Sequence, residues 1–342
     1  MINKACRYPR LVRLVRVDDA VGLVLGYDTT YVGKDGATVL LPRGHVITRE
    51  DAEKLKDAGV YFVWVVGEEE GSDLMYEWEV SEAVANAVAG RNVKVKPARQ
   101  GSAQLVAAVG GVLVVDHNGL KALNLSGNVL LITRQNYVGV VGGEVVGVVD
   151  VIPLSMRRQE VEELLRFRGL VNVEPFRRTR LGVVITGTEI YQGRKSDLYY
   201  PVIKARADRF GWSIVYREVV PDDEDRIASA VLEAVRQGAE AIVVTGGMSV
   251  DPTDRTPIAI KKLGAEIIAY GVPIKPTTMT MIALLGDVPI LAVSAGGIYY
   301  SDFNALDIFL PRLMANLIPT REEIAAMGLG GLLPNYRLTT SP

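Results

Sequence analysis

Residues 241–257, AIVVTGGMSVDPTDRTP, decide the fold class of this chain. Ala241-Ile-Val-Val244 is an unbroken apolar run, the pattern of a strand buried on both faces. Thr245-Gly246-Gly247 then turns the chain, and a polar loop carries Ser249, Asp251, Asp254 and Arg255. Thr256-Pro257 closes the loop, with Pro257 suited to the first turn of a helix. An α/β sheet builds a ligand site in this order of strand, paired glycines, polar loop and helix. Glycines let backbone N–H groups approach a bound anion without interference from Cβ. Carboxylates in such a loop can hold a metal ion. Ordinary turn and capping chemistry uses the same residue types, so the loop is weighed with its neighbours.

The alternation extends on both sides. Strands are expected at 181–186, 213–220, 265–270 and 289–293. Helices are expected at 197–210, 225–237, 257–263 and 302–317, with a last one at 320–327 capped by Thr320 and Glu323. Such alternation implies βαβ units and an α/β fold, a doubly wound, mainly parallel sheet with helices on both faces. Its strands point one way, so their polar ends gather at one edge. That edge collects Thr186, Gly187 and Glu189, then Asp222, then Thr245, Gly246, Gly247, Ser249 and Asp254, then Lys275 and Pro276, then Ser294 and Gly296. Glycines and Lys275 suit an anion, and Asp222 and Asp254 suit Mg²⁺ or polar ring edges, a set that fits a phosphorylated ligand. Asp222 and Asp223 equally suit the N-cap of the following helix. No GxxxxGK[ST] sequence is present and no GxGxxG follows the first strand, which argues against a P-loop ATPase and a standard NAD enzyme.

TGTEI (186–190), PDDED (221–225), TGGMSVDPTDRTP (245–257) and IKP (274–276) are together similar to the molybdopterin-binding domain of the MoeA/MogA family of molybdenum cofactor biosynthesis proteins. The whole chain resembles its multi-domain, MoeA-like members. Asp19-Ala-Val-Gly-Leu-Val-Leu-Gly-Tyr-Asp28 and Leu41-Pro-Arg-Gly-His-Val-Ile47 resemble segments of those longer proteins. The resemblance implies a domain that binds the pterin and its phosphate at the strand ends. Asp222 and Asp254 would act in adenylylation of the cofactor or in metal insertion, as catalytic residues and as metal ligands. It also implies Mg²⁺, a homo-oligomer, and as partners molybdopterin or its adenylylated form and a molybdenum or tungsten enzyme. The metal-insertion branch reads KPG where this chain has Lys275-Pro276-Thr277. It reads LPGNP where this chain has Val293-Ser294-Ala295-Gly296-Gly297, and GDEL where this chain has Gly187-Thr188-Glu189-Ile190. One carboxylate is therefore absent, which favours binding over turnover. Two other functions compete with cofactor maturation. One is a non-enzymatic carrier or insertion chaperone. The other is a pyridine-nucleotide amidohydrolase of the competence-damage type, whose loop usually has Gly-Leu-Gly-Pro after the double glycine.

The rest of the chain is expected to form two smaller modules. Residues 1–72 read as a small α+β unit. A strand covers Arg10 to Val17, a turn lies at 33–36, a helix follows the capping residues Thr48 and Asp51, and Gly59 stops it. Residues 73–175 read as a strand-rich module with a helix at 74–90 and a linking helix at 156–168. Glycine-punctuated strands lie between, and a turn is expected at Asp116-His-Asn-Gly119. The α/β domain then covers 176–319 and a tail 320–342.

Composition narrows the function classes. The chain has 342 residues, 49% of them apolar, which supports several cores. A net charge of −2 gives no electrostatic case for nucleic acid. Cys6 is the only cysteine, which excludes internal disulfides and multi-cysteine zinc sites. His45 and His117 read as loop histidines. The charges at Lys4, Arg7 and Arg10 precede no long apolar run, so neither a signal peptide nor a membrane span is expected, and the protein is read as cytoplasmic.

Overall fold

The computed structural model of the chain describes residues 12–34, 36–66, 73–97, 101–248, 254–299 and 302–333. The C-terminal half is built on one six-stranded sheet. Its strands are β1 (Arg180–Thr186), β2 (Ser213–Val220), β3 (Ala241–Thr245), β4 (Glu266–Tyr270), β5 (Thr280–Leu285) and β6 (Val288–Val293). Their order across the sheet is β2-β1-β3-β6-β5-β4. The pairs β1–β2, β1–β3 and β3–β6 are parallel, and β5 runs antiparallel to both β6 and β4. The sheet is thus mainly parallel, as the alternation predicts. The antiparallel strand β5 is an addition to the expected pattern.

Helices α1 (Thr188–Tyr191), α2 (Tyr200–Phe210), α3 (Glu224–Arg236), α4 (Thr256–Lys262), α5 (Ala295–Tyr299), α6 (Ala305–Met314) and α7 (Arg321–Ala326) complete this half. They cover both faces of the sheet, so β1 and β3 are apolar on both sides. Leu181, Val183 and Ile185 enter one core with α2 and α6. Val184, Ile242 and Val244 enter the other with α3 and α4. Gly182 lets α3 come close: a Cβ there would stand 3.0 Å from that of Ala234 and 3.1 Å from that of Ala239. The expected helix starts at 197 and 302 move inward, because the residues before each helix act as its cap. Asp197 accepts from Tyr199 N and Tyr200 N, and Asn304 accepts from Leu306 N. Helix α7 carries the expected capping box of Thr320 and Glu323 and buries Ile324 in the same core as α6.

The middle of the chain is strand-rich, as expected. One antiparallel sheet has the order 93–97, 102–107, 145–151, 129–133, and a second has the order 139–140, 111–115, 171–175. Helix Glu77–Val88 buries Val80, Val84, Ala85 and Val88 against them. Three expectations are corrected here. Asp116-His-Asn-Gly119 is the N-terminus of a helix, His117–Asn124, because Asp116 accepts from Asn118 N at 3.0 Å and Gly119 N at 3.1 Å. An Asp followed by glycine signals a turn and a cap alike. The helix expected from 74 begins at Glu77, and the linking helix covers only Arg158–Leu164. The residues before each, Leu74–Tyr76 and Ser155–Arg157, pair as short strands instead.

In the first module, Val12–Arg16 pairs with Phe62–Val66, and the hairpin strands Thr29–Gly33 and Gly36–Leu41 pair on either side of the expected turn at 33–36. Helix Arg49–Asp57 has the expected reciprocal cap: Asp51 N donates to Thr48 Oγ1 and Thr48 N donates to Asp51 Oδ2. His45 Nε2 lies 2.7 Å from the same carboxylate. Hydrogen bonds from His45 and Thr48 hold the Asp51 carboxyl well below the usual carboxylate range.

The modules touch through polar and aromatic contacts. Tyr27 Oη donates to Leu154 O at 2.6 Å, and the Arg43 guanidinium lies 4.2 Å from the Trp78 ring. Between the middle module and the α/β half, Gly139 fits against Phe210 and Pro311. A Cβ there would approach their side chains to 2.7 and 2.9 Å. Arg209 pairs with Glu144 across the same boundary. Among the described residues no helix is long and apolar enough to cross a membrane.

Candidate functional site

The four parallel strands β2, β1, β3 and β6 lie side by side, and the loops at their C-terminal ends are fastened to one another in that order. Asp222 follows β2 and reaches Thr188 after β1. Thr188 N and Oγ1 donate to Asp222 Oδ2 at 2.8 and 3.0 Å, and Asp222 N donates back to Thr188 Oγ1 at 3.1 Å. Gly187 N donates to Val220 O. Of the two acids that compete for the cap of α3, Asp223 takes it, accepting from Asp225 N and Arg226 N. Asp222 is left to bridge two strand ends.

The next contact joins β1 to β3. Gly246 has φ +90° and Gly247 φ +56°, both in the region that favours glycine. A Cβ on Gly246 would stand 2.6 Å from both the carbonyl oxygen and the hydroxyl of Thr186. A Cβ on Gly247 would stand 2.9 Å from Thr256 Oγ1. Thr256 closes the loop from the other side, donating through Oγ1 to Gly246 O at 2.9 Å and through N to Gly247 O at 3.2 Å. Two hydroxyls at these strand ends are buried: Thr186 Oγ1, which a Cβ on either glycine would approach within 3.3 Å, and Thr245 Oγ1 on the opposite face of the sheet. Neither has a hydrogen-bond partner among the described residues.

From β3 the chain of contacts continues to β6 and the Lys275 loop. Gly246 N donates to Val293 O, and Ser294 N to Met279 O. Around Gly296 there is open space, whereas a Cβ on Gly297 would meet Thr277 Cγ2 at 2.4 Å and Pro276 O at 3.1 Å. Thr277 is fully buried and holds its loop at both ends: Oγ1 accepts from Ala305 N, and its carbonyl accepts from Thr280 Oγ1. The Lys275–Pro276 peptide bond is cis. Lys275 N donates to Gly331 O at 2.8 Å, so the backbone after α7 braces this loop while the Lys275 side chain stays exposed.

Glu189 stands at the rim, half-exposed, with Lys195 Nζ 3.4 Å from its carboxylate. Asp254 is the first described residue after 249–253, and its charge, after burial, raises the pKa of the Tyr270 hydroxyl on β4. That hydroxyl donates to Met248 O at 3.1 Å and pins the entry of the loop. Ser249 and Asp251 lie outside the described residues. Among the described residues no three carboxylates, histidines or cysteines gather as a metal site. Mg²⁺ does not need one, since it is usually held by one or two carboxylates and by the oxygens of a bound phosphate.

The structure thus joins Asp222, Gly187, Thr186, Gly246, Gly247, Ser294 and Pro276 into one continuous edge, directly or through one intervening residue. Sequence reasoning missed Thr188, Thr277 and Tyr270. Thr188 and Thr277 sit inside the quoted motifs, TGTEI and the residues after IKP, so their place was available as a signal. Tyr270 ends a strand on the far side of the sheet, and only the fold brings it to the loop.

Comparison with known proteins bears on this same edge. Residues 182–314 match the family described as a probable molybdopterin binding domain, and residues 14–67 match a domain of unknown function, DUF8806. The chain is 28% identical over 141 residues to the molybdopterin molybdenumtransferase of Bacillus subtilis, covering 39% of this chain and 33% of that protein. It is 29% identical over 92 residues to the molybdopterin adenylyltransferase of Pyrococcus furiosus, covering 27% of this chain and 54% of that one. The solved structure of the molybdopterin biosynthesis enzyme MoaB from Thermus thermophilus is 23% identical, with a TM-score of 0.36, over 41% of this chain and 94% of that one. The chain therefore spans from a third to about half the length of these two curated relatives. Residues 182–314, within the α/β half that carries this edge, are thus what matches the probable molybdopterin binding domain.

Proposed function

We propose that the strand-end edge of the α/β half binds molybdopterin or a derivative of it, and that the protein acts in maturation of the molybdenum cofactor by adenylylation or metal insertion. The observation that carries this reading is the unsatisfied hydroxyl of Thr186, beside two glycines whose Cβ positions are closed by the protein itself, with a second unsatisfied hydroxyl, that of Thr245, at the neighbouring strand end. A buried hydroxyl without a partner is costly, and a bound phosphate or pterin edge is the kind of group that relieves it.

In this reading Thr186, Gly187, Thr245, Gly246, Gly247, Ser249, Ser294 and Gly296 line the ligand, and Glu189 orients a polar edge. Lys275, exposed beside Pro276, offsets phosphate charge. Asp254 and Asp222 hold Mg²⁺ together with phosphate oxygens. Asp222 is already committed to Thr188 through one oxygen, Oδ2, which leaves Oδ1 for a metal-bound ligand. The expected division into modules 1–72 and 73–175, the α/β domain 176–319 and the tail 320–342 assigns this chemistry to the third. The first two then serve self-association or the docking of a molybdenum or tungsten enzyme.

A carrier or insertion chaperone is the second reading. Thr188 stands where the metal-insertion branch has a carboxylate, and its hydroxyl engages Asp222, which favours this reading.

The deciding assay incubates the protein with molybdopterin, MgATP and molybdate, and follows pyrophosphate release and the AMP adduct. Asp254→Asn should lower turnover at least about 100-fold while the protein still melts cooperatively. Undiminished turnover in that variant removes Asp254 from the chemistry. Tight pterin binding without turnover in the wild type selects the carrier, and no pterin binding at all ends both readings.

A further inference from the structure

A cavity of about 490 Å³ lies between the middle module and the C-terminal helices. Its volume is in the range of small-molecule sites. None of the strand-end residues lines it. One wall is apolar, made by Ile274, Ile308, Met327 and Leu333. The opposite rim is polar, with exposed His117 and Gln135 from the middle module.

Arg312, near the C-terminus of α6, lines the same cavity and is 2% exposed. Its Nη2 donates to Glu323 Oε2 at 2.9 Å, and its Nε donates to Leu317 O at 3.4 Å. The Tyr137 ring lies over the guanidinium at 3.9 Å. Nη1 has no partner among the described residues. Glu323 does not supply one. Its Oε1 accepts from Tyr137 Oη, and its Oε2 from Thr320 N and Arg312 Nη2. A buried guanidinium with an idle donor, in the wall of a cavity, calls for an acceptor.

The backbone gives a separate indication. Tyr137 has φ +66°, a conformation that a bulky side chain rarely adopts. It is imposed from both sides: Tyr137 N donates to Leu113 O, and the Asn136 side chain is bound to both backbone groups of Val115. Strain of this kind is retained where a side chain must be held in one place, and ligand clamps are among those places.

We propose that this cavity binds a small molecule with an apolar body and a single carboxylate. The carboxylate pairs with Arg312 Nη1, and the body lies against Ile308 and Met327. One carboxylate suits the electrostatics better than a phosphate, because Glu323 already neutralises the guanidinium in part and the facing wall is apolar. The ligand would bridge the two halves of the molecule at a place remote from the pterin edge.

The test uses the full chain with methyl-labelled methionine and titrates phenylacetate, hexanoate and the neutral phenylacetamide. Phenylacetate or hexanoate should shift the Met327 methyl signal to saturation, and phenylacetamide should bind at least about 10-fold more weakly, having lost the charge-assisted bond. Ile308→Trp fills the cavity from its apolar wall and should weaken binding by about 10-fold or more. Gln135→Trp blocks the mouth from an exposed position, so it should do the same even if the core variant folds poorly. Equal affinity for acid and amide would overturn the proposal. So would an unmoved Met327 signal at about 10 mM of either acid, or binding that Gln135→Trp leaves unchanged.

Discussion

The two ends of the six-stranded sheet are made from similar residues and come out opposite. At the N-terminal ends of the parallel strands, charged side chains satisfy one another and the backbone. Arg178 donates to Leu313 O, Asn316 Oδ1 and Asp287 O at 2.8–2.9 Å. Glu240 accepts from Thr179 N, Arg180 N and Arg180 Nη2. At the C-terminal ends the loops are fastened just as closely, yet Thr186 and Thr245 keep hydroxyls without partners among the described residues. Buried polar groups are nearly always paired; Trp212 Nε1 is an exception at the N-terminal end, just before β2, whereas the two threonines at the C-terminal end stand where paired glycines and strand-end loops meet. Connectivity alone does not separate the two ends; unmet hydroxyls beside glycines in the left-handed region occur at the C-terminal one.

The comparison breaks most visibly at glycine. Gly246→Ala places a methyl 2.6 Å from the Thr186 carbonyl at φ +90°, and backbone cannot move aside as a side chain can. We expect a loss of about 3 kcal/mol or more in urea unfolding, together with loss of ligand binding. Gly238 lies at the other end of β3 with φ +85°, and its nearest contact would be Arg180 Nη1 at 3.7 Å. Gly238→Ala should cost only about 1 kcal/mol and leave binding alone. Equal costs at the two glycines would mean that φ, and not close approach to the neighbouring strand end, governs both.

Glu240→Ala opens the satisfied end. Two backbone donors lose their acceptor, and a loss of about 1–2 kcal/mol is expected at neutral pH with ligand affinity unchanged. The backbone N–H of Thr179, then that of Arg180 with its guanidinium, holds the Glu240 carboxyl below its usual value of 4.5. A depressed carboxylate contributes stability above its unfolded pKa and loses it as pH falls through the folded one. Wild type and Glu240→Ala should therefore converge in stability on the acid side of 4.5. A gap that persists at low pH would assign the loss to packing.

The satisfied core was easier to read from sequence than the unsatisfied edge. Strands β1 and β3 are apolar on every interior position because helices cover both faces, and the pattern is unambiguous. The Asp223 cap and the Thr320–Glu323 box are local chemistry within four residues. Strand β5 escaped because Thr280–Leu285 and Val288–Val293 are separated only by Gly286 and Asp287, so a tight hairpin reads as a single apolar stretch. The pairing of Asp222 with Thr188 joins residues 34 apart in sequence, and Tyr270 reaches Met248 across 22. No local pattern encodes such contacts; they exist only once the strand order is set. The motifs named the residues of the edge. The fold decided which acid caps a helix and which one bridges two strand ends.

The smallest stability effect gives the sharpest test. Thr186→Val and Thr245→Val each replace a hydroxyl by a methyl of nearly the same size. At a site whose hydroxyl is paired, that exchange costs roughly 1 kcal/mol, because the partner is left unsatisfied. Here no described partner exists, so unfolding free energy should change by less than about 0.5 kcal/mol or rise slightly. Pterin affinity, measured by calorimetry on the same samples, should fall about 10-fold for each variant if the ligand takes those hydroxyls. Stability and binding would then separate at one end of the sheet, where Glu240→Ala separates them in the opposite sense at the other. A stability loss of full hydrogen-bond size with unchanged affinity would place the missing partner inside the protein and remove the strongest support for the site.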